Sequence, residues 1–238
     1  MPYTVLVVET DPASRSLLER IVAKCSYSCQ CVEDGAAALK AAGDANPALM
    51  LLALKLPDMD GFDVCRQLRY RSSIPLIVVS SRKSEVDRIC AFELGADDYV
   101  TKPFRPGELV WRIKALMRTT YQQHARGCIG PSLHFERITI QPAGREVSVD
   151  NCPIHLTPKE FELLLALAEH HGKVVSSERL LLDIWGYDKS IRTRTLDVHI
   201  NRLRSKIEAD SANPQLIRTV NGVGYRFDDT AAIHSAAA

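Results

Sequence analysis

Residues 3–24 read YTVLVVETDPASRSLLERIVAK. Tyr3–Val8 is an apolar run of the kind a strand carries when both its faces are covered, as in a parallel sheet. A polar break, Glu9-Thr10-Asp11, follows, and Pro12 opens a helical pattern that runs to Lys24. The same alternation continues along the chain. It predicts a strand over Ser28–Val32, a helix over Ala36–Ala42, a strand over Ala48–Leu54 and a helix over Phe62–Tyr70. Strand Pro75–Ser80, helix Ser84–Leu94, strand Asp98–Val100 and helix Pro106–Met117 complete it. Five strand–helix repeats imply an α/β fold, an open doubly wound sheet with helices on both faces. The functional crevice of such a sheet lies at the carboxyl ends of its strands. Here those ends carry Glu9-Thr10-Asp11, Ala53, Ser80-Ser81 and Lys102.

Beyond residue 118 the pattern changes. Residues 119–130 (TTYQQHARGCIG) are polar, lose periodicity and read as a linker between a domain at 1–118 and a second at 131–228. Short alternating segments from Leu133 to Leu156, with turns at Pro142-Ala143-Gly144 and Asp150-Asn151, predict a small antiparallel sheet. Thr157, Pro158 and Glu160 then form a helix start, with a capping box and a core stripe of Phe161, Leu164, Leu165 and Ala168. A second helix opens at Ser176 or Ser177 and stops at Gly186, and a third spans roughly Arg192–Ile207. A hairpin, Leu216–Val220 and Tyr225–Phe227 about a Gly222/Gly224 turn, closes the domain before a tail at 229–238. Three helices followed by a hairpin is the order of a winged helix-turn-helix, an α+β unit.

The composition excludes several classes. The 238 residues are 46% apolar and 25% charged, as in ordinary globular protein. No run approaches the roughly 18 apolar residues of a membrane span, and the N-terminus lacks a signal peptide's basic region, so a cytoplasmic location and no membrane partner are expected. Net charge is +1, so any nucleic-acid footprint must lie in the placement of charge. No metal, cofactor or enzymatic site is expected. Cys152 and His155 lack a second pair at zinc spacing, and His170-His171 reads as a helix end. The seven cysteines form no framework. Cys25, Cys29 and Cys31 cluster, with Cys29 and Cys31 on one face of a strand. The plain reading is small residues in a reducing compartment; the sharper one is a redox sensor with a lowered thiol pKa.

On a wheel of about 100° per residue, Leu196, Ile200, Leu203 and Ile207 form a narrow core stripe in the third helix. Opposite lie Arg194, Val198, Asn201 and Ser205, flanked by Thr195, His199, Arg202 and Lys206. Arg204 adds to a run of five basic residues with a single acid, Asp197, between 192 and 206. Guanidinium and amide groups pair with guanine and adenine edges, Val198 suits a thymine methyl, and Thr195 and Lys206 suit phosphates. Double-stranded DNA is the expected partner.

The stretches LTPKEFELL, VVSSERLLLDIWGYD, RTLDVHINRLRSKIE and LIRTVNGVGYRF make residues 133–227 resemble the effector domain of OmpR/PhoB-family response regulators. VLVVETDP, LKLPDMDGFDV, PLIVVSS and ELGADDYVTKPF make the first 118 residues resemble the family's receiver. The resemblance implies that the third helix enters the major groove and that the 216–227 wing, with Asn221 where arginine is common, meets the minor groove. It implies that the loop Gly186–Ile191 contacts RNA polymerase.

In the receivers it resembles, an acidic pair and a third-strand aspartate hold Mg²⁺, and that aspartate accepts the phosphoryl group. Here the pair is Glu9-Thr10 and the acceptor position is Ala53, in LLALKLPDMDG. A methyl group neither attacks phosphorus nor binds a hard cation. Ser80, Tyr99 and Lys102 occupy the remaining switch positions, and Glu9 is the anion expected to receive Lys102. A surrogate acid is the alternative, with Asp11, Asp58 and Asp60 as candidates. Their plain roles are helix capping for Asp11 and Asp60 and loop solvation for Asp58. A ligand-gated module, with a pocket over Ala53, is a further alternative. The resemblance also implies a homodimer through the fourth helix, fifth strand and fifth helix, using Arg88, Glu93, Asp97, Asp98, Glu108, Arg112, Lys114 and Arg118.

Overall fold

The computed structural model describes residues 3–118, 120, 131–186 and 194–229. The chain divides into two compact units, 1–120 and 121–238. Within the interval 119–130 only Thr120 is described; the rest of the expected linker, residues 187–193 and the tail from 230 lie outside the described residues.

The first unit is a five-stranded parallel sheet. Its strands are β1 (Thr4–Val8), β2 (Ser28–Val32), β3 (Leu49–Leu52), β4 (Leu76–Ser80) and β5 (Asp98–Thr101), in the order β2-β1-β3-β4-β5. The helices are α1 (Pro12–Lys24), α2 (Gly35–Ala45), α3 (Gly61–Arg69), α4 (Glu85–Glu93) and α5 (Pro106–Met117). The three central strands are buried on both faces, which is why Val5–Val8, Leu49–Leu52 and Leu76–Val78 read as continuous apolar runs. Helix starts are fixed by side chains that satisfy orphan amides: Asp11 accepts from Ser14 N at 2.7 Å and Asp34 from Ala37 N at 2.7 Å. Helix α2 runs beyond the Ala36–Ala42 pattern at both ends: Asp58 reaches back to the amides of Gly35 (2.8 Å) and Ala36 (2.9 Å) at its start, and it continues to Ala45, where Asn46 at φ 40° closes it. Strand β3 is shorter than expected. The Ala53 amide still bonds to Val8 O at 2.9 Å, but the chain then turns to meet α3, where Gly61 N donates to Leu54 O. A Cβ on Gly61 would lie 2.5 Å from Ala53 O, so only glycine lets α3 start this close to the end of β3.

The second unit begins with a four-stranded antiparallel sheet, β6 (Leu133–His134), β7 (Ile138–Gln141), β8 (Glu146–Val149) and β9 (Cys152–Ile154). Asp150 and Asn151, with φ of 50° and 63°, make the two-residue β8–β9 turn that suits the sheet's twist. Helix α6 (Pro158–Glu169) follows, then β10 (Val174–Ser176) and α7 (Ser177–Leu180), which widens into a π-helical turn at Leu181–Trp185. Gly186, at φ 65°, ends it. Helix α8 (Thr195–Ile207) precedes β11 (Ile217–Val220) and β12 (Gly224–Phe227). These two strands form a sheet with β10 in the order β10-β12-β11, a third strand the sequence reading omits. A Cβ at Gly224 would fall 2.0 Å from Val175 O, so the glycine is what admits β10. One core joins all three helices to both sheets through Ile140, Phe161, Leu164, Leu167, Trp185, Leu196, Ile200, Leu203 and Phe227.

Candidate functional site

The carboxyl ends of β1, β3, β4 and the segment after β5 surround a pocket of about 580 Å³. Glu9, Thr10, Asp11, Ala53, Ser80, Ser81 and Lys102 are among its walls. Lys102 Nζ donates to Glu9 Oε2 at 2.5 Å, and the Asp11 amide donates to Glu9 Oε1 at 3.1 Å. Both carboxylate oxygens of the buried Glu9 are therefore occupied. Thr10 turns its hydroxyl to Glu33 O (3.1 Å), and Ser80 Oγ accepts from Arg82 N (3.1 Å). Tyr99 is buried and donates to Arg82 O at 2.8 Å; its burial pushes the phenol above its ordinary pKa. Arg82 in turn binds Asp60 Oδ2 at 2.5 Å and lies over the Phe62 ring. The peptide Lys102–Pro103 is cis.

These residues do not fit a Mg²⁺ ion. A hard dication takes six or so oxygen ligands. The carboxylate nearest the role, Glu9, already holds an ammonium group, and Ala53 offers a methyl. Among the described residues, no group of three or more acidic, histidine or cysteine side chains is arranged to hold a metal. The three other acids are engaged as well. Asp11 caps α1, and Asp60 caps α3 through Phe62 N at 3.0 Å while pairing with Arg82. Asp58 is not merely solvated: it caps α2, and hydrogen bonds from Gly35 and Ala36 hold its carboxyl below the usual range despite some desolvation.

The α4–β5–α5 face departs from expectation at three positions. Asp97 is fully buried and binds Leu76 N (2.9 Å) and Arg69 (3.2 Å), so it ties strands and α3 together. Asp98 is also buried and pairs with Arg112 at 2.8 Å within the chain, and Arg112 takes Glu108 as well, at 2.9 Å. Asp97, Asp98 and Arg112 are thus spent internally. Glu93, Lys114 and Arg118 are exposed, Arg88 is half-buried, and the apolar Val86 and Trp111 stand in solvent beside them.

Helix α8 buries a wider arc than its leucine–isoleucine stripe because it packs both on α6 and on the wing. Thr195, Val198, His199 and Arg204 are consequently buried, and their side chains are not a DNA-facing surface. His199 stacks edge-on against Trp185 (4.9 Å between centroids) and bonds to Thr195 O at 2.8 Å. Arg204 donates to Ile217 O (2.7 Å) and Thr219 Oγ1 (2.8 Å), and burial lowers its pKa. Arg202 (3.0 Å) and Lys206 (2.6 Å) both reach the buried carboxylate of Glu160. Burial opposes ionisation of Glu160, but these two cations outweigh it and hold the carboxyl below its ordinary pKa. The exposed face of α8 is Arg194, Asp197, Asn201 and Ser205, with Arg202 and Lys206 half-exposed at its flank. Asp197 accepts from Tyr225 OH at 2.7 Å, and Asn221 and Val223 project at the wing's turn with Arg218 along its edge. Ser205 is exposed as the helical wheel expects, and Arg218 is a surface position of the wing that the sequence reading did not single out. The loop expected to meet RNA polymerase lies outside the described residues beyond Gly186.

A receiver sheet followed by a winged helix whose third helix is open to solvent defines a DNA-binding response regulator. Residues 5–114 match the response regulator receiver domain family, and residues 151–227 match the family of transcriptional regulatory protein C-terminal domains. The chain belongs to the OmpR/PhoB family of two-component response regulators. It is 41% identical over 225 residues to the sensory transduction protein RegX3 of Mycolicibacterium smegmatis, covering 94% of this chain and 99% of that protein. RegX3 of Mycobacterium tuberculosis is 42% identical over the same span. Among solved structures, a RitR mutant superposes with a TM-score of 0.76 at 27% identity, covering 94% of this chain and 98% of that one. DrrB, a Thermotoga maritima OmpR/PhoB homolog, gives a TM-score of 0.50 at 30% identity over 96% of this chain and all of that one. DNA is therefore a partner. No helix among the described residues is long and apolar enough to cross a membrane.

Proposed function

We propose that this transcription regulator acts without aspartyl phosphorylation, its receiver being held by its own side chains. The observation that carries the reading is the Lys102–Glu9 pair beside Ala53: the cation that would face a phosphoryl group already has an internal anion. Asp11, Asp58 and Asp60 are each committed to helix amides, which argues against a surrogate acceptor. In this reading a regulatory domain (1–118), a linker (119–130) and an effector domain (131–228) ahead of a tail (229–238) act in the cytoplasm as a homodimer. Arg88, Glu93, Glu108, Lys114 and Arg118, with the exposed Val86 and Trp111 on the same two helices, offer charges of both signs and apolar surface for a two-fold contact. Arg194 and Asn201 read base edges, Arg202 and Lys206 approach phosphates, and Asn221 lies at the minor groove. The loop 186–191 contacts RNA polymerase.

The test is intact mass spectrometry of the full chain after incubation with Mg²⁺ and a small acyl phosphate. The reading expects no phosphoryl adduct. An acid-stable, base-labile adduct localised to any aspartate or glutamate of the pocket overturns it.

A further inference from the structure

The pocket does not use the cysteines of β2. Alternation along this edge strand puts Cys29 and Cys31 on one face, and their Sγ atoms are 3.5 Å apart. Cys29 is exposed and Cys31 half-buried. Glu19 of α1 is the charged group that faces them: Cys31 Sγ donates to Glu19 Oε1 at 3.1 Å. Their register partners on β1, Val5 and Val7, are apolar. Among the described residues no strand pairs with the other edge of β2, and the exposed Cys29 makes the pair reachable from solvent.

The separation of the sulfurs discriminates between uses. Two thiolates on a tetrahedral zinc-like ion, with metal–sulfur bonds of about 2.3 Å, stand about 3.8 Å apart. Cys29 and Cys31 meet that bite with a shift of a few tenths of an ångström. A disulfide suits them less well. Residues two apart on a strand have Cα atoms about 6.6 Å apart, near the upper limit of about 6.8 Å for a bridge. Desolvation raises both thiols above their ordinary pKa, and the Glu19 carboxylate adds to this at Cys31, so neither is the thiolate that a fast redox sensor needs.

We propose that Cys29 and Cys31 form a bidentate site for a soft, thiophilic divalent cation. The dithiol gives up two protons, both to solvent. Two metal–sulfur bonds form, and no electron transfer is required. Water or a small exogenous ligand completes the coordination, because among the described residues no third side-chain ligand joins the two sulfurs. Because two protons leave, apparent affinity climbs with pH, by up to about a hundredfold per unit below the thiol pKa values.

The experiment titrates Zn²⁺ into the reduced full-length chain under anaerobic conditions against a chromophoric chelator, at pH 6.5 and 7.5. One equivalent is expected to bind, more tightly at the higher pH. Cys29→Ser and Cys31→Ser each weaken it by more than about tenfold, since losing one of two ligands costs at least as much as losing a ligand's supporting partner. Cys128→Ser and Cys152→Ser leave it unchanged. Unfolding temperatures within a few degrees of wild type establish that the variants fold, and a serine double variant on a melted background is replaced by alkylation of the native dithiol. Affinity that survives either β2 serine variant, or recovery of a Cys29–Cys31 disulfide in place of a zinc complex, overturns the proposal. This outcome is independent of the phosphorylation reading.

Discussion

Replacing Glu9 by alanine leaves the Lys102 ammonium beside Ala53 without its carboxylate and the Asp11 amide without its acceptor. The Lys102 and Glu9 side chains are 22% and 5% exposed, so the pair lies between two limits. Exposed ion pairs contribute about 0–1 kcal/mol. Deleting one partner of a fully buried pair costs about 3–5 kcal/mol. Lys102 keeps enough access to recruit water, which sets the expected loss at about 2 kcal/mol. For a unit of this size that corresponds to a fall in melting temperature of roughly 6–10 °C. Urea unfolding of the full-length chain, following the transition of the receiver, measures it directly. The Lys102→Met change should partly rescue the Glu9→Ala protein, because it removes the stranded charge; the double variant is then less destabilised than the sum of the singles. A Glu9→Ala protein within about 0.5 kcal/mol of wild type, the range of ordinary surface substitutions, would refute the reasoning. So would strict additivity with Lys102→Met.

In the effector domain, Glu160→Gln should destabilise by about 3 kcal/mol near neutral pH, since Arg202 and Lys206 lose a buried anion. The sign follows from a folded-state pKa held below the ordinary value of 4.5: the wild-type contribution is complete above that value and is lost as pH falls through the folded pKa, so the variant's urea midpoint should converge on wild type in acid. Asn201→Ala and Arg194→Ala should each cost about 1–3 kcal/mol in specific DNA binding with the fold intact, whereas His199→Ala should lower the melting temperature first; equal melting curves for His199→Ala and wild type count against its packing on Trp185. The pair Thr10→Asp and Ala53→Asp together should create Mg²⁺-dependent thermal stabilisation that wild type lacks, and a Mg²⁺ response in the unmodified protein would contradict the pocket described above.

Strand and helix positions in the receiver were legible because each central strand is buried on both faces, four of the helices start at a side-chain cap and the fifth starts at Pro106. The limits of α1 and α5 coincide with the periodicity, while α2 runs on to Ala45 through Gly43 and Asp44, two residues that interrupt the apolar pattern without breaking the helix. The Glu9–Lys102 contact was legible through the family resemblance, which gives the lysine an anionic partner, together with a parallel sheet that brings the strand ends to one edge. The DNA-facing surface was less legible. A helical wheel knows only one packing partner, and α8 has two, so Thr195, Val198, His199 and Arg204 turn inward against Trp185 and the wing. The same limit applies to Asp97 and Asp98: charge on a helix–strand face reads as surface until Arg69 and Arg112 are seen to neutralise it. Strand β10 escaped because three residues carry no period, and its pairing depends on Gly224 in a distant segment.

The most direct test of the central claim is the affinity of the untreated full-length chain for its DNA site, measured at one fixed salt concentration with and without Mg²⁺ plus a small phosphoryl donor. The account predicts specific binding already at full strength, with the donor changing the dissociation constant by less than about twofold, or roughly 0.4 kcal/mol. A tenfold or greater tightening that depends on both Mg²⁺ and donor would contradict it, and would mean that an acid of this receiver accepts the phosphoryl group after all.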